Sequence, residues 1–154
     1  MAAAENWNQF RGPTGMGVAE GVVPTEWSNA SVAWKVELPG QGQSSAVNWG
    51  PKLFVTAASK DGGTRSLLCL DKDNGKILWQ RDLATKQKEA LHKMNSWATP
   101  SPVTDGERVI AFFGPAGIHC YDMNGKKQWS KNLGDFPGGW GIAASPIIEG
   151  NQVI

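Results

Sequence analysis

One short unit occurs three times in this chain. Trp34-Lys35-Val36-Glu37-Leu38, Trp79-Gln80-Arg81-Asp82-Leu83 and Trp129-Ser130-Lys131-Asn132-Leu133 all read Trp-x-x-x-Leu, 45 and 50 residues apart. A second shared unit follows each: Ser45-Ala46-Val47 up to Gly50, Ser101-Pro102-Val103 up to Gly106, and Ser145-Pro146-Ile147 up to Gly150. A period of roughly 40 to 50 residues built from short apolar runs is the signature of stacked β blades. The repeat therefore dictates an all-β class, an incomplete β-propeller of four-stranded antiparallel blades.

Each full copy carries four β signals. In the first copy these are Ser45-Ala46-Val47, Lys52 to Thr56, Leu67 to Leu70 and Ile77-Leu78-Trp79; in the second they are Ser101-Pro102-Val103, Arg108 to Phe113, Ile118 to Tyr121 and Lys127-Gln128-Trp129. Asn74-Gly75 and Asn124-Gly125 join the last two strands and read as type I′ hairpins, because both residue types tolerate positive φ. Asp71 and Asp122 sit at the mouths of those hairpins, where a carboxylate bonds the turn backbone; this structural role outweighs a catalytic or calcium role. The unbroken apolar run Leu67 to Leu70 suits a strand covered on both faces. Trp34, Trp79 and Trp129 read as the docking points between blades, and Gly75 and Gly125 as the hairpin residues of the repeat.

Strand bookkeeping sets the organisation. Residues 1–31 form an irregular extension, with Trp7, Phe10 and Trp27 expected to anchor in grooves, and residues 32–154 form the partial propeller. Within it, 32–38 is an orphan outer strand, 44–83 and 98–133 are blades, and 142–154 begins another. A closed ring takes roughly four to eight blades, so the flanks of these two invite association.

Fifteen basic and 14 acidic residues leave a formal charge of +1, which gives no footprint for nucleic acid. No apolar run approaches the roughly 18 to 20 residues of a membrane helix. Met1-Ala2-Ala3-Ala4-Glu5 reads either as the small-residue end of a leader behind an added methionine, giving a periplasmic or secreted protein, or as an alanine run of no consequence. Cys69 and Cys120 occupy equivalent places in successive copies, about one sheet spacing of roughly 10 Å apart, too far for a disulfide. Both read as buried free thiols.

The stretch Leu70-Asp71-Lys72-Asp73-Asn74-Gly75-Lys76-Ile77-Leu78-Trp79 resembles the pyrroloquinoline quinone (PQQ) repeat, Asp-x-x-x-Gly-x-x-x-Trp, and Tyr121 to Trp129 is the same pattern one residue shorter. Trp7-Asn8-Gln9-Phe10-Arg11-Gly12-Pro13 and His92 to Gly106 are similar to stretches of secreted PQQ-like propellers of planctomycete-type bacteria. The resemblance implies a longer protein of about seven or eight blades, of which this chain is the N-terminal third. It also raises two activities. Quinoprotein dehydrogenases bind PQQ and calcium with an adjacent cysteine pair and acidic and amide ligands; this chain has no Cys-Cys pair and no calcium-loop spacing, so neither PQQ nor calcium is expected. Non-catalytic relatives, such as the outer-membrane β-barrel assembly lipoprotein, use the same blades to bind protein. The expectation is thus a non-enzymatic scaffold for protein partners, with a quinoprotein fragment and a carbohydrate-binding surface on Trp97 and Trp140 as alternatives.

Two connections differ from the repeat. Ala84 to Ser96 reads as a charged surface loop with one helical turn over Lys86 to Lys93, Glu89 pairing Lys93 at i,i+4; the binding alternative puts His92, Asn95, Ser96 and Trp97 at a ligand. Gly134 to Gly141 carries Trp140, the best stacking candidate. His119 replaces Leu68 in the repeat and reads as a core histidine with its hydrogen bonds satisfied.

Overall fold

The computed structural model describes residues 6–21 and 24–154; the Met1 to Glu5 segment lies outside them. Two four-stranded antiparallel sheets stand side by side. The first is β1 (Val47–Trp49), β2 (Lys52–Ala58), β3 (Thr64–Asp71) and β4 (Ile77–Ala84), in that order; the second is β5 (Val103–Thr104), β6 (Arg108–Phe112), β7 (Ile118–Asp122) and β8 (Lys127–Lys131). A two-stranded ladder, β9 (Ile148–Glu149) with β10 (Gln152–Val153), starts a third. The molecule is an incomplete propeller.

Alternation along β3 explains the stacking. Leu67 and Cys69 point to one side, into a cluster with Val47, Phe54, Val109, Ala111 and Tyr121 that joins the two blades. Leu68 and Leu70 point to the other, onto Leu38, Leu53, Val55 and Ile77. One blade along, Cys120 and Ile118 face the third ladder through Ile148 and Val153. With both faces covered, the strand needs apolar residues at every position. The two cysteines therefore lie on different layers, free and buried, and burial pushes the Cys69 thiol up to about 11.

The repeated tryptophans dock across blades. Trp79 Nε1 donates to the Met123 carbonyl at 3.1 Å, and Trp34 Nε1 donates to the Lys72 carbonyl at 2.9 Å. Both acceptors stand one residue after the hairpin aspartate. The ring lies on the hairpin glycine of the next blade: a Cβ on Gly125 would come within 2.8 Å of the Trp79 indole, and one on Gly75 would meet Trp34. In both copies the register shifts at the position just before the tryptophan, between Cys69 and Leu70 and between Cys120 and Tyr121 on the partner strand. Such a bulge re-aims the side chain that follows it.

Three expectations are corrected. The hairpins are not type I′: Gly75 (φ 73°) and Gly125 (φ 78°) take positive φ, but Asn74 and Asn124 do not. The loops are longer than two residues and are held by the aspartates, Asp71 Oδ1 accepting from Asp73 and Asn74 and Asp122 Oδ1 from Asn124 and Lys126. A longer loop closes with one left-handed glycine and a bulge. The N–H groups of Lys126 and Asn124 hold the Asp122 carboxyl below its usual range.

Val32 to Leu38 forms no strand, since no ladder lies beside it among the described residues, although Trp34 keeps its dock. Trp27 and Phe10 are 78% and 48% exposed rather than anchored. The extension instead holds by hydrogen bonds to the inner strands and their turn. Asn48 N–H donates to Trp7 O at 2.8 Å and Thr104 N–H to Asn8 O at 2.9 Å, stitching residues 7 and 8 across inner strands β1 and β5.

Candidate functional site

Antiparallel connection divides the loops between two ends. The turns at Gly50-Pro51, 72–76, 105–107 and 123–126 lie at one end with the N-terminal strap. The connections 59–63 and 113–117, together with the inter-blade loops 85–102 and 132–147, lie at the other. A cleft of about 450 Å³ opens between the inter-blade loops, lined by Lys86 to Ala90 on one side, Asp135 to Gly138 on the other, and Pro115.

The first loop is built on a residue that its sequence context gave no reason to single out. Arg65, at the start of β3, is 0% exposed, and its guanidinium stands 3.9 Å from the carboxylate of Glu89, itself 4% exposed. The Trp97 ring covers the guanidinium at 5.3 Å, a cation–π distance. Arg65 Nη1 donates to the Gly62 carbonyl, and Trp97 Nε1 reaches the Glu89 carbonyl at 3.5 Å. Arg65 Nε and Nη2 and Glu89 Oε2 have no hydrogen-bond partner. Burial pushes the Arg65 guanidinium below its usual value, with Glu89 opposing. The expected helical turn over Lys86 to Lys93 is absent because Glu89 points inward to Arg65 rather than along the loop to Lys93. A lone arginine in a strand run looks like a rim residue until the loop that reaches back to it is known.

The five candidates separate. Trp97 is taken up by Arg65 and by Gly62, whose Cβ would lie 2.6 Å from the indole. Ser96 is buried, its hydroxyl accepting from Ala98 N–H at 3.2 Å in a turn. His92, Asn95 and Trp140 come together across the two loops. The His92 and Trp140 rings stack at 4.3 Å and 29°, and the Asn95 amide donates to the Trp140 carbonyl. Trp140 itself stays 66% exposed.

His119 is buried on β7, its Nε2 at 2.9 Å from the Ala116 carbonyl; Nδ1 has no partner, so its hydrogen bonds are only half satisfied. Burial keeps it below its usual value. Among the described residues, no group of three or more His, Cys, Asp or Glu side chains is placed to hold a metal ion, and no helix is long and apolar enough to cross a membrane.

Comparison with known proteins agrees with this architecture. The crystal structure of BamB from Moraxella catarrhalis superposes with a TM-score of 0.57 at 22% identity, over 79% of this chain and 36% of that one. The chain thus spans about a third of the length of that relative, and the likeness establishes the fold. No curated protein sequence matches. A family profile described as outer membrane protein assembly factor BamB matches residues 18–154. The chain belongs to this family of PQQ-like β-propellers.

Proposed function

We propose that this chain is a non-catalytic scaffold that binds a protein partner on the face carrying its inter-blade loops. The observation that carries the reading is the distribution of chemistry between the two ends. At the hairpin end, the backbone donors of the inner strands are taken by the strap at Asn48 and Thr104. At the loop end, a cleft and an exposed, braced tryptophan remain open. The family's designation as an outer membrane protein assembly factor is in keeping with a binding role. A periplasmic or secreted location belongs to the same proposal.

We infer that this chain binds neither PQQ nor calcium through its own residues. The two cysteines are buried on different layers and cannot form an adjacent pair. The repeated aspartates are used by their own hairpins, and Trp34 and Trp79 by their docks. Titration with PQQ and calcium tests this, followed by absorbance and tryptophan fluorescence. The scaffold reading expects no saturable change in the micromolar range; saturable binding contradicts it.

The third ladder has two strands where the others have four. Trp129, Leu133, Ile147 and Ile154 are exposed beside it. We propose that further blades of a longer, seven- or eight-bladed ring cover this flank, and that without them the chain self-associates through it.

A further inference from the structure

We propose that Trp140 anchors a peptide-recognition site for an acidic, extended segment of a partner protein that presents an aromatic side chain; this rests on the scaffold reading above. The indole is 66% exposed, so it contributes little to the core. Yet the other loop braces it twice, through the His92 ring beneath it at 4.3 Å and through the Asn95 amide on its carbonyl. A rigid, exposed aromatic loses little conformational freedom on contact, which is the property of a binding anchor.

The cleft continues the site. Its walls run to Ala90 and Gly138, and two residues further along each loop stand His92 and Trp140. Pro115, Phe136 and Pro137 give it an apolar surface. The charge follows from Arg65. Because Glu89 turns inward to that guanidinium, it does not offset the lysines of its own loop. On the loops of this face Lys60, Lys86, Lys88 and Lys93 then stand against Asp61 and Asp135. The excess is positive and favours carboxylates on the partner.

A sugar is the competing occupant of an exposed tryptophan. Sugar recognition needs uncommitted planar polar groups beside the ring. Here one Asn95 amide N–H is engaged by the Trp140 carbonyl and His92 Nδ1 accepts the Met94 N–H at 3.3 Å, and the lysine excess has no counterpart on a neutral sugar. Peptide is the better fit.

The test follows the indole N–H resonances of the full 15N-labelled chain, the Trp140 signal being identified by its loss in Trp140→Ala. The probes are the blocked peptides Asp-Glu-Phe-Glu-Asp, Asp-Glu-Ala-Glu-Asp and Lys-Arg-Phe-Arg-Lys, and cellohexaose. The expected result is a saturable shift of the Trp140 signal with the first peptide. Affinity should fall roughly tenfold when alanine replaces the phenylalanine, and by a similar factor in the Lys86→Glu/Lys88→Glu chain. An unmoved Trp140 signal overturns the proposal, as does an equal response to the basic peptide or a response to cellohexaose alone. If a partner still cross-links to the loop face of the Trp140→Ala chain at undiminished yield, this site is wrong while the scaffold reading stands. If the unaltered chain cross-links nothing on that face, the scaffold reading itself fails.

Discussion

Arg65 and Glu89 face each other at 3.9 Å in the interior, both side chains almost wholly removed from water. Their pairing draws an inter-blade loop down onto the end of β3. Removing one partner strands the other: Glu89→Ala is expected to cost about 3 to 5 kcal/mol in urea denaturation. Replacing both, as Arg65→Met/Glu89→Leu, should cost clearly less than the sum of the single changes. Additive losses would show that the two groups do not stabilise the loop as a pair.

Trp79 and Trp129 occupy equivalent repeat positions, but only the first has a hairpin to dock on among the described residues. Trp79→Ala is expected to cost about 3 to 5 kcal/mol, and Trp129→Ala well under half of that. Equal losses would remove the docking account.

The repeated serines form a ladder across blades. Ser45 N–H donates to the Ser101 hydroxyl at 2.8 Å, and Ser101 N–H to the Ser145 hydroxyl at 2.9 Å. Ser101→Ala removes the acceptor of the Ser45 N–H and should cost about 0.5 to 1.5 kcal/mol. Ser101→Thr, which keeps the hydroxyl, should recover part of it. No difference between the two variants would contradict the ladder.

His119 carries the pH dependence. Burial lowers its folded value below the ordinary histidine value of about 6.5, so below that pH the unfolded chain binds the proton more readily. Its penalty is absent at high pH and grows as pH falls through the unfolded value. His119→Leu, which restores the residue of the other blade, should flatten the loss of urea stability between about pH 7 and pH 5. An identical slope in both chains would assign that loss elsewhere.

The blades were legible because a repeat reports its own interfaces. The tryptophan, the hairpin glycine and the serine recur, and each proves to bridge neighbouring copies. Asn-Gly suggests a two-residue turn, but the aspartate carboxylates reach N–H groups up to four residues on and close a longer loop, a span that the dipeptide does not reveal. The site was legible only in part. His92, Asn95 and Trp140 stood out as departures from the repeat, and they meet. Trp97 and Ser96 stood out for the same reason and make their contacts within the fold, with Arg65 and Ala98. Arg65 was missed because its significance depends on Glu89, 24 residues away in sequence and met only once the loop folds back.

Site-specific photo-cross-linking separates the two ends of the propeller most directly. A photoreactive residue is placed at Lys88 on the loop face or at Asn74 on the hairpin face. The account predicts a discrete protein adduct from Lys88 and none from Asn74; an adduct from Asn74 alone would contradict it.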